Sequence, residues 1–257
     1  MGNASVSTLP FTLQASTAES RPGIRSDAAL GAYSAGWTGA GTGISGIPLT
    51  PEYPEKLGEF YSPWEAFNRL KEAAHKYGVN KLRTSGAEPT LGENHLLSLL
   101  EHVEQSTFPL FILETNGILF GVDKDYVKRV SKFTKPHVRV SLKAGTPEDF
   151  TRKTGAKPEA FEIPFQAIRN LMDCNVSFHV AAMSADPRIM TQEERGNLVK
   201  KLVEIDPQLL LSLEEEVMDP YNTTLERLKI AGLKVRWPLR RVYTPVRGTL
   251  KREKEGT

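Results

Sequence analysis

Cysteine is nearly absent: Cys174 is the one thiol in 257 residues, which excludes a disulfide scaffold and a cysteine-only metal site within the chain. Charge of one sign is also lacking. Lys and Arg number 33 against 31 Asp and Glu, a formal charge of +2, which argues against a dedicated nucleic-acid-binding domain with its basic footprint. No apolar run approaches the ~20 residues needed to cross a bilayer. The opening MGNASVSTLPFTLQ carries no basic or apolar signal region, and Val6 stands where a myristoylation pattern needs Ser or Thr. The five histidines form no H-E-x-x-H, and neither a phosphate-binding G-x-x-x-x-G-K-[ST] nor a G-x-S-x-G elbow occurs. What remains is an expectation of a soluble cytoplasmic protein whose 39% hydrophobic residues are enough to bury a core.

Along the chain, β-branched runs alternate with amphipathic stretches. A short polar run at 23–27 is followed by a glycine-rich stretch to about Ser62. Ser62-Pro63-Trp64-Glu65 then has an N-cap, a proline at N1 and a glutamate at N3, the capping box of a helix that Gly78 ends. Strands are predicted at 81–84, 110–114, 138–142, 176–182, 209–213 and 233–237. Helices lie around His95 to Val103 and after Thr146-Pro147, Thr191 with Glu194, and Asp219-Pro220. One strand every ~25–40 residues with a helix in each gap predicts a parallel α/β protein. The fold class expected is a partial parallel (βα) barrel of about six units over residues 23–239, with an extension at 1–22 and a basic tail at 240–257.

A parallel barrel carries its chemistry at the C-terminal ends of its strands. The residues there are Ser85 to Thr90, Glu114 to Gly117, Ser141 to Lys143, Ala181 to Ser184 and Glu214 to Glu216. Small residues with a carboxylate, an amide and a lysine suit a polar ligand bearing an amino-acid or ribose group. Glu88 offers an acceptor for an ammonium and Lys143 a partner for a carboxylate. Read from spacing alone, the same residues also serve as ordinary turn formers. His179 either points into the barrel or is a satisfied core histidine, and the acidic run at 214–216 either lines a mouth or is a solvated loop. Cys174 precedes a strand, on the opposite rim, as a small core residue. Gly41 to Gly46 matches G-x-G-x-x-G, but Pro48 and Pro51 follow it where a dinucleotide fingerprint needs a helix.

Four of these segments carry a family resemblance. Gly86-Ala87-Glu88-Pro89 after a strand resembles the GGEP motif of radical SAM enzymes, and Thr115-Asn116-Gly117 resembles the TNG that ends their next strand. Ser141-Leu142-Lys143 resembles a strand motif of the glycyl-radical activating enzymes, and Leu113 to Leu119 is similar to small archaeal members. The resemblance covers roughly residues 23 to 240 and implies a partial TIM barrel. It also implies a [4Fe–4S] cluster, S-adenosylmethionine as cofactor and its reductive cleavage to a radical that abstracts hydrogen from a substrate. Gly86, Ala87, Glu88 and Pro89 would hold the methionyl amino end, and Asn116, Ser141 and Lys143 the remaining polar groups.

The family binds its cluster through C-x3-C-x2-C after the first strand. Here Ala28, Ala32 and Ala35 hold that spacing, and alanine has no thiolate to ligate iron. The three alanines read as a deliberate replacement of the ligands, so the chain is expected to be inactive in radical generation while its pocket still takes the sulfonium ligand weakly. The partners implied are S-adenosylmethionine, an unidentified small-molecule, peptide or protein substrate and a reductant protein, with no membrane; the basic tail leaves RNA open. Two other readings stand beside this one. The first is a cluster-free binding or scaffold protein on the same fold. The second is a lyase or aldolase on an unrelated βα barrel, with Lys143 as Schiff-base nucleophile and Glu88 as acid/base.

Overall fold

A computed structural model describes residues 61–84 and 88–216. The first helix, α1 (Pro63–Tyr77), begins as its sequence dictates. Ser62 accepts from the Glu65 amide while the Glu65 carboxylate takes the Ser62 amide at 2.8 Å, satisfying two amides that the helix leaves without partners. Gly78 closes it in the left-handed region at φ 63°, where a side chain is disfavoured. After β1 (Lys81–Thr84) and a 3-10 turn at Pro89–Leu91 come α2 (Glu93–Glu104), β2 (Leu110–Thr115), α3 (Ile118–Val122), α4 (Lys124–Val130) and β3 (Pro136–Leu142). Then follow α5 (Pro147–Thr154), a 3-10 turn at Pro158–Glu162, α6 (Ile163–Asp173), β4 (Phe178–Ala182), α7 (Gln192–Ile205), a 3-10 helix at Pro207–Leu211 and β5 (Glu214–Glu215). The caps expected at Thr146 and Thr191 form, each accepting from the amide three residues on.

The five strands pair in parallel in the order β1-β2-β3-β4-β5. Because that order never reverses, it lacks the switch point of a doubly wound sheet; it is the order of a barrel wall. Among the described residues the sheet stays open, with β1 and β5 at its edges. It is a partial parallel barrel.

Alternation along each strand separates two faces. Leu82, Phe111, Leu113, Val138, Val140, Leu142, Val180 and Ala182 join one buried cluster with Leu99 and Leu100 of α2, Ile168 and Leu171 of α6 and Leu198 of α7. The alternate residues, Arg83, Glu114, Arg139 and His179 among them, face the other way and stand outside that cluster. No helix among the described residues is long and apolar enough to cross a membrane.

One strand is placed differently from the expectation. Leu209 to Leu213 is not a strand: residues 207–211 form a 3-10 helix, capped by Asp206 through the Gln208 amide, with Leu209 and Leu210 buried. Strand pairing begins only at Glu214. Pro207 has no amide to donate and sits at N1 of that turn, a position that favours helical over extended backbone. The expected elements at 23–27, 219–220 and 233–237, the Gly41–Gly46 match and the boundaries at 22/23 and 239/240 lie outside the described residues.

Candidate functional site

The C-terminal ends of β1 and β2 are tied together by one carboxylate. Glu88 is buried, and its Oε1 accepts from the Thr90 hydroxyl at 2.6 Å, the Thr90 amide at 3.2 Å and the Thr115 hydroxyl at 2.7 Å. Its Oε2 accepts from the Asn116 amide at 2.7 Å. Thr115 in turn accepts from the Gly117 amide at 3.0 Å, and the Asn116 side chain accepts from the Ile118 amide at 2.9 Å. Gly117 has φ 80°, and a Cβ there would come within 3.2 Å of both Ala167 and Val140. Thr-Asn-Gly is therefore a turn that only glycine completes, clasped to Glu88 across 28 residues of chain. Burial pushes the Glu88 carboxyl up, and the hydrogen bonds from Asn116, Thr90 and Thr115 oppose that. The sequence suggested an ammonium as the partner of Glu88; its oxygens accept instead from these four neutral donors.

Beside this clasp, the ends of β2 and β3 open into a cleft. Asn116, Ser141 and Lys143 line it together with Ile118, Phe150 and Phe161, around about 480 Å³ of empty space that includes open solvent. Its make-up, mostly apolar with a few polar groups, is that of a small-ligand site. Asn116 and Ser141 are buried. Lys143 is half-buried; burial pushes its ammonium down, with the carboxylates of Glu216 and Glu88 pulling it back up. Of the residues expected from the sequence, Glu88, Asn116, Ser141 and Lys143 thus share one rim, and Pro89 opens the 3-10 turn next to Glu88. Gly86, Ala87, Ala28, Ala32 and Ala35 lie outside the described residues. Cys174 caps the C-terminal end of α6 and packs against the core on the approach to the start of β4.

Below the rim, the second face of the sheet carries a ladder of charge that sequence patterns did not disclose. Arg139 on β3 is 7% exposed in its side chain, and its guanidinium meets Glu114 of β2 at 3.3 Å, Glu214 of β5 at 2.8 Å and Glu216 through a short contact. It also donates to the Ser141 hydroxyl at 3.3 Å. Arg83 of β1 pairs with Glu114 from the other side. His179 lies on this face rather than in the apolar core, bonded to Glu214 at 2.9 Å and to His137 at 2.7 Å. Together His179 and Arg139 hold the Glu214 carboxyl well below the usual range. The acidic run at 214–216 is therefore β5 and its paired carboxylates, not a solvated loop; Glu215 bonds Arg195 of α7 at 2.7 Å and Ser184 at 3.0 Å. The one signal that could have found the ladder is the repeat of charged residues at alternate strand positions, Arg83, Glu114 and Arg139, among otherwise apolar runs.

The model of the radical SAM superfamily matches residues 46–202 of the chain. Two curated proteins are similar to parts of it. A probable GTP 3',8-cyclase of Thermoplasma volcanium is 29% identical over 115 residues, covering 45% of this chain and 30% of that protein. One of Saccharolobus solfataricus is 26% identical over 104 residues, covering 40% and 32%. The chain thus matches about a third of the length of these relatives. Among solved structures, SuiB of Streptococcus suis bound to S-adenosylmethionine aligns at 18% identity with a TM-score of 0.45, covering 67% of this chain and 35% of that one. The structure of anSMEcpe with bound AdoMet and a Kp18Cys peptide aligns at 20% identity with a TM-score of 0.39, covering 55% and 41%.

Proposed function

Because the chain belongs to the radical SAM superfamily, we propose that its strand-end cleft binds S-adenosylmethionine, and that the chain as it stands binds this ligand without cleaving it. The observation that carries the binding half is the convergence of Asn116, Ser141 and Lys143 on one aromatic-walled cleft beside the Glu88 clasp. Residues 86–89 seat the methionyl amino end, with the Glu88 carboxylate fixing the turn that presents it. Lys143 pairs with the methionyl carboxylate, an anion that offsets the cost of burying its ammonium. Asn116 and Ser141 hold the remaining polar groups. Phe150 and Phe161 keep water from the bound ligand's apolar flank.

The residues present do not fit the family's iron–sulfur cluster. A cluster held by three thiolates needs three cysteines at one rim. The sequence has Cys174 alone, at the end of α6 away from the Glu88 rim. Among the described residues no group of three His, Cys, Asp or Glu side chains is placed to hold a metal ion. Ala28, Ala32 and Ala35 mark the positions that would carry the ligands.

Calorimetric titration with S-adenosylmethionine tests the binding half. Binding that weakens about 10-fold or more in Lys143→Ala and Asn116→Ala supports it, and no binding by the native chain overturns it. The cluster half is tested by Ala28→Cys, Ala32→Cys and Ala35→Cys combined, reconstituted anaerobically with iron and sulfide. A brown protein that cleaves S-adenosylmethionine is expected; a colourless one shows that these are not the ligand positions. A second reading has one observation in its favour, the lowered pKa of a Lys143 amine at an aromatic-lined cleft. That reading is Schiff-base chemistry on a carbonyl compound, and borohydride trapping at Lys143 with a carbonyl substrate would establish it.

A further inference from the structure

A continuous hydrogen-bonded chain runs along the charged face of the sheet from the start of β4 up to the cleft. It begins at the exposed Ser177, whose hydroxyl lies 2.8 Å from His137 Nδ1. His137 Nε2 faces His179 Nδ1 at 2.7 Å, and His179 Nε2 meets Glu214 Oε2 at 2.9 Å. That same carboxylate oxygen accepts from Arg139 Nε at 2.8 Å, and Arg139 Nη1 reaches Ser141 Oγ, in the cleft wall, at 3.3 Å. The register accounts for the alignment: His179 stands opposite Arg139, and the two imidazoles lie nearly parallel with centroids 5.0 Å apart.

Two nitrogens 2.7 Å apart have room for one hydrogen between them. With both histidines neutral, the Ser177 hydroxyl donates to His137 Nδ1, His137 Nε2–H to His179 Nδ1, and His179 Nε2–H to the Glu214 carboxylate. One further proton is accommodated at His137 Nδ1, which then donates to the Ser177 oxygen while every other bond stays in place. A second would set two N–H groups against each other and break the pair. We propose that His137 and His179 form a one-proton site, coupled through Glu214 and Arg139 to the cleft, so that cationic ligands bind the cleft less tightly once the pair is charged. The coupling resides in Glu214 Oε2. A charged pair draws that oxygen from Arg139, and it adds positive charge to a face already holding Arg83, Arg139 and Lys143 against Glu114, Glu214 and Glu216. His137 is disposed toward the neutral form by burial and by the neighbouring His179.

The ligand part of this inference rests on the binding reading above; the proton part does not. The first measurement is therefore ligand-free: NMR titration of 15N-histidine and of the Arg139 Nε–H signal in the full chain. As pH falls below the ordinary histidine value of 6.5, the pair is expected to take up a single proton, with the Arg139 signal moving through the same midpoint. In His179→Gln, His137 titrates alone and the Arg139 signal no longer follows it. Two independent protonations in the native chain, or an Arg139 signal that stays still, overturn the proposal. The second measurement compares S-adenosylmethionine with its neutral thioether, S-adenosylhomocysteine. Across the same pH range the sulfonium is expected to lose about 5-fold more affinity, a difference that disappears in His179→Gln. An equal loss for both ligands overturns the coupling to the cleft. If neither ligand binds at any pH, the binding reading fails and the NMR titration alone decides the proton site.

Discussion

The two faces of the sheet solve burial in opposite ways, although the same strands build both. On the helix side, Leu82, Leu113, Val140 and Val180 are removed from water in one cluster with residues of α2, α6 and α7, and each contributes through its own apolar area. On the other side Arg83, Glu114, Arg139, His179 and Glu214 stand at alternate positions and depend on one another. Glu114 and Arg139 are as hidden as many core residues, at 5% and 7% side-chain exposure. A charge so placed costs several kcal/mol unless it is paired. A change on the apolar face costs what its own area and volume remove, whereas a change on the charged face also leaves its partners unpaired.

The largest effect expected is that of Arg139→Met. It leaves Glu114 buried with Arg83, and Glu214 with His179, as remaining partners and takes the guanidinium from Glu216, a loss of about 4 kcal/mol in denaturant unfolding. Replacing Glu114, Arg139 and Glu214 together by apolar residues of similar size should cost less than this single change. If the triple variant is the less stable of the two, the contrast between the faces fails. Leu113→Ala, on the apolar side, is expected to cost about 3 kcal/mol as a cavity plus lost transfer energy, and to add to a distant core change within experimental error.

Gly117→Ala comes next, at about 2 kcal/mol, because the new Cβ is strained at φ 80° and presses on Ala167 and Val140. Its thermal midpoint and the affinity for S-adenosylmethionine should fall together, since the turn it distorts carries Asn116. Smallest is the acid response of the charged face. The folded pKa of Glu214 lies below its ordinary value of 4.5, so its stabilisation is complete above that value and is lost as pH falls beneath it. At 48% exposure this amounts to about 1 kcal/mol at most, and Glu214→Gln should flatten that limb of the stability curve. Glu88 has the opposite sign. Its raised pKa means that the folded state holds a proton more tightly than the unfolded one, so Glu88 costs stability as pH rises above 4.5. At Glu88 the four neutral donors do not offset the burial of the carboxylate.

How far the chain could be read from its letters follows from the range of each interaction. The starts of α1, α5 and α7 were legible because a cap residue and its partner amide lie three positions apart. Helix α6 has no side-chain cap, so its start carries no such local signal although its apolar residues are periodic. The run at 209–213 reads as a strand because a short apolar stretch looks alike as strand or helix; only the Asp206 cap and Pro207 separate them. At the site, Glu88, Asn116, Ser141 and Lys143 were legible as residues that end strands. The hydrogen-bond roles of Thr90 and Thr115, and the whole Arg139 ladder, were not.

By itself the sequence determined the helix boundaries written in caps, the alternation of strand and helix, and the thiol content, all of which depend on residue identity within a few positions. Tertiary structure alone decided that Arg139 meets partners 25, 75 and 77 residues away, and that His137 lies against His179. The reason is register: a parallel strand shifted by one residue turns its other face to the helices, and no local pattern says which residue of a distant strand will stand opposite.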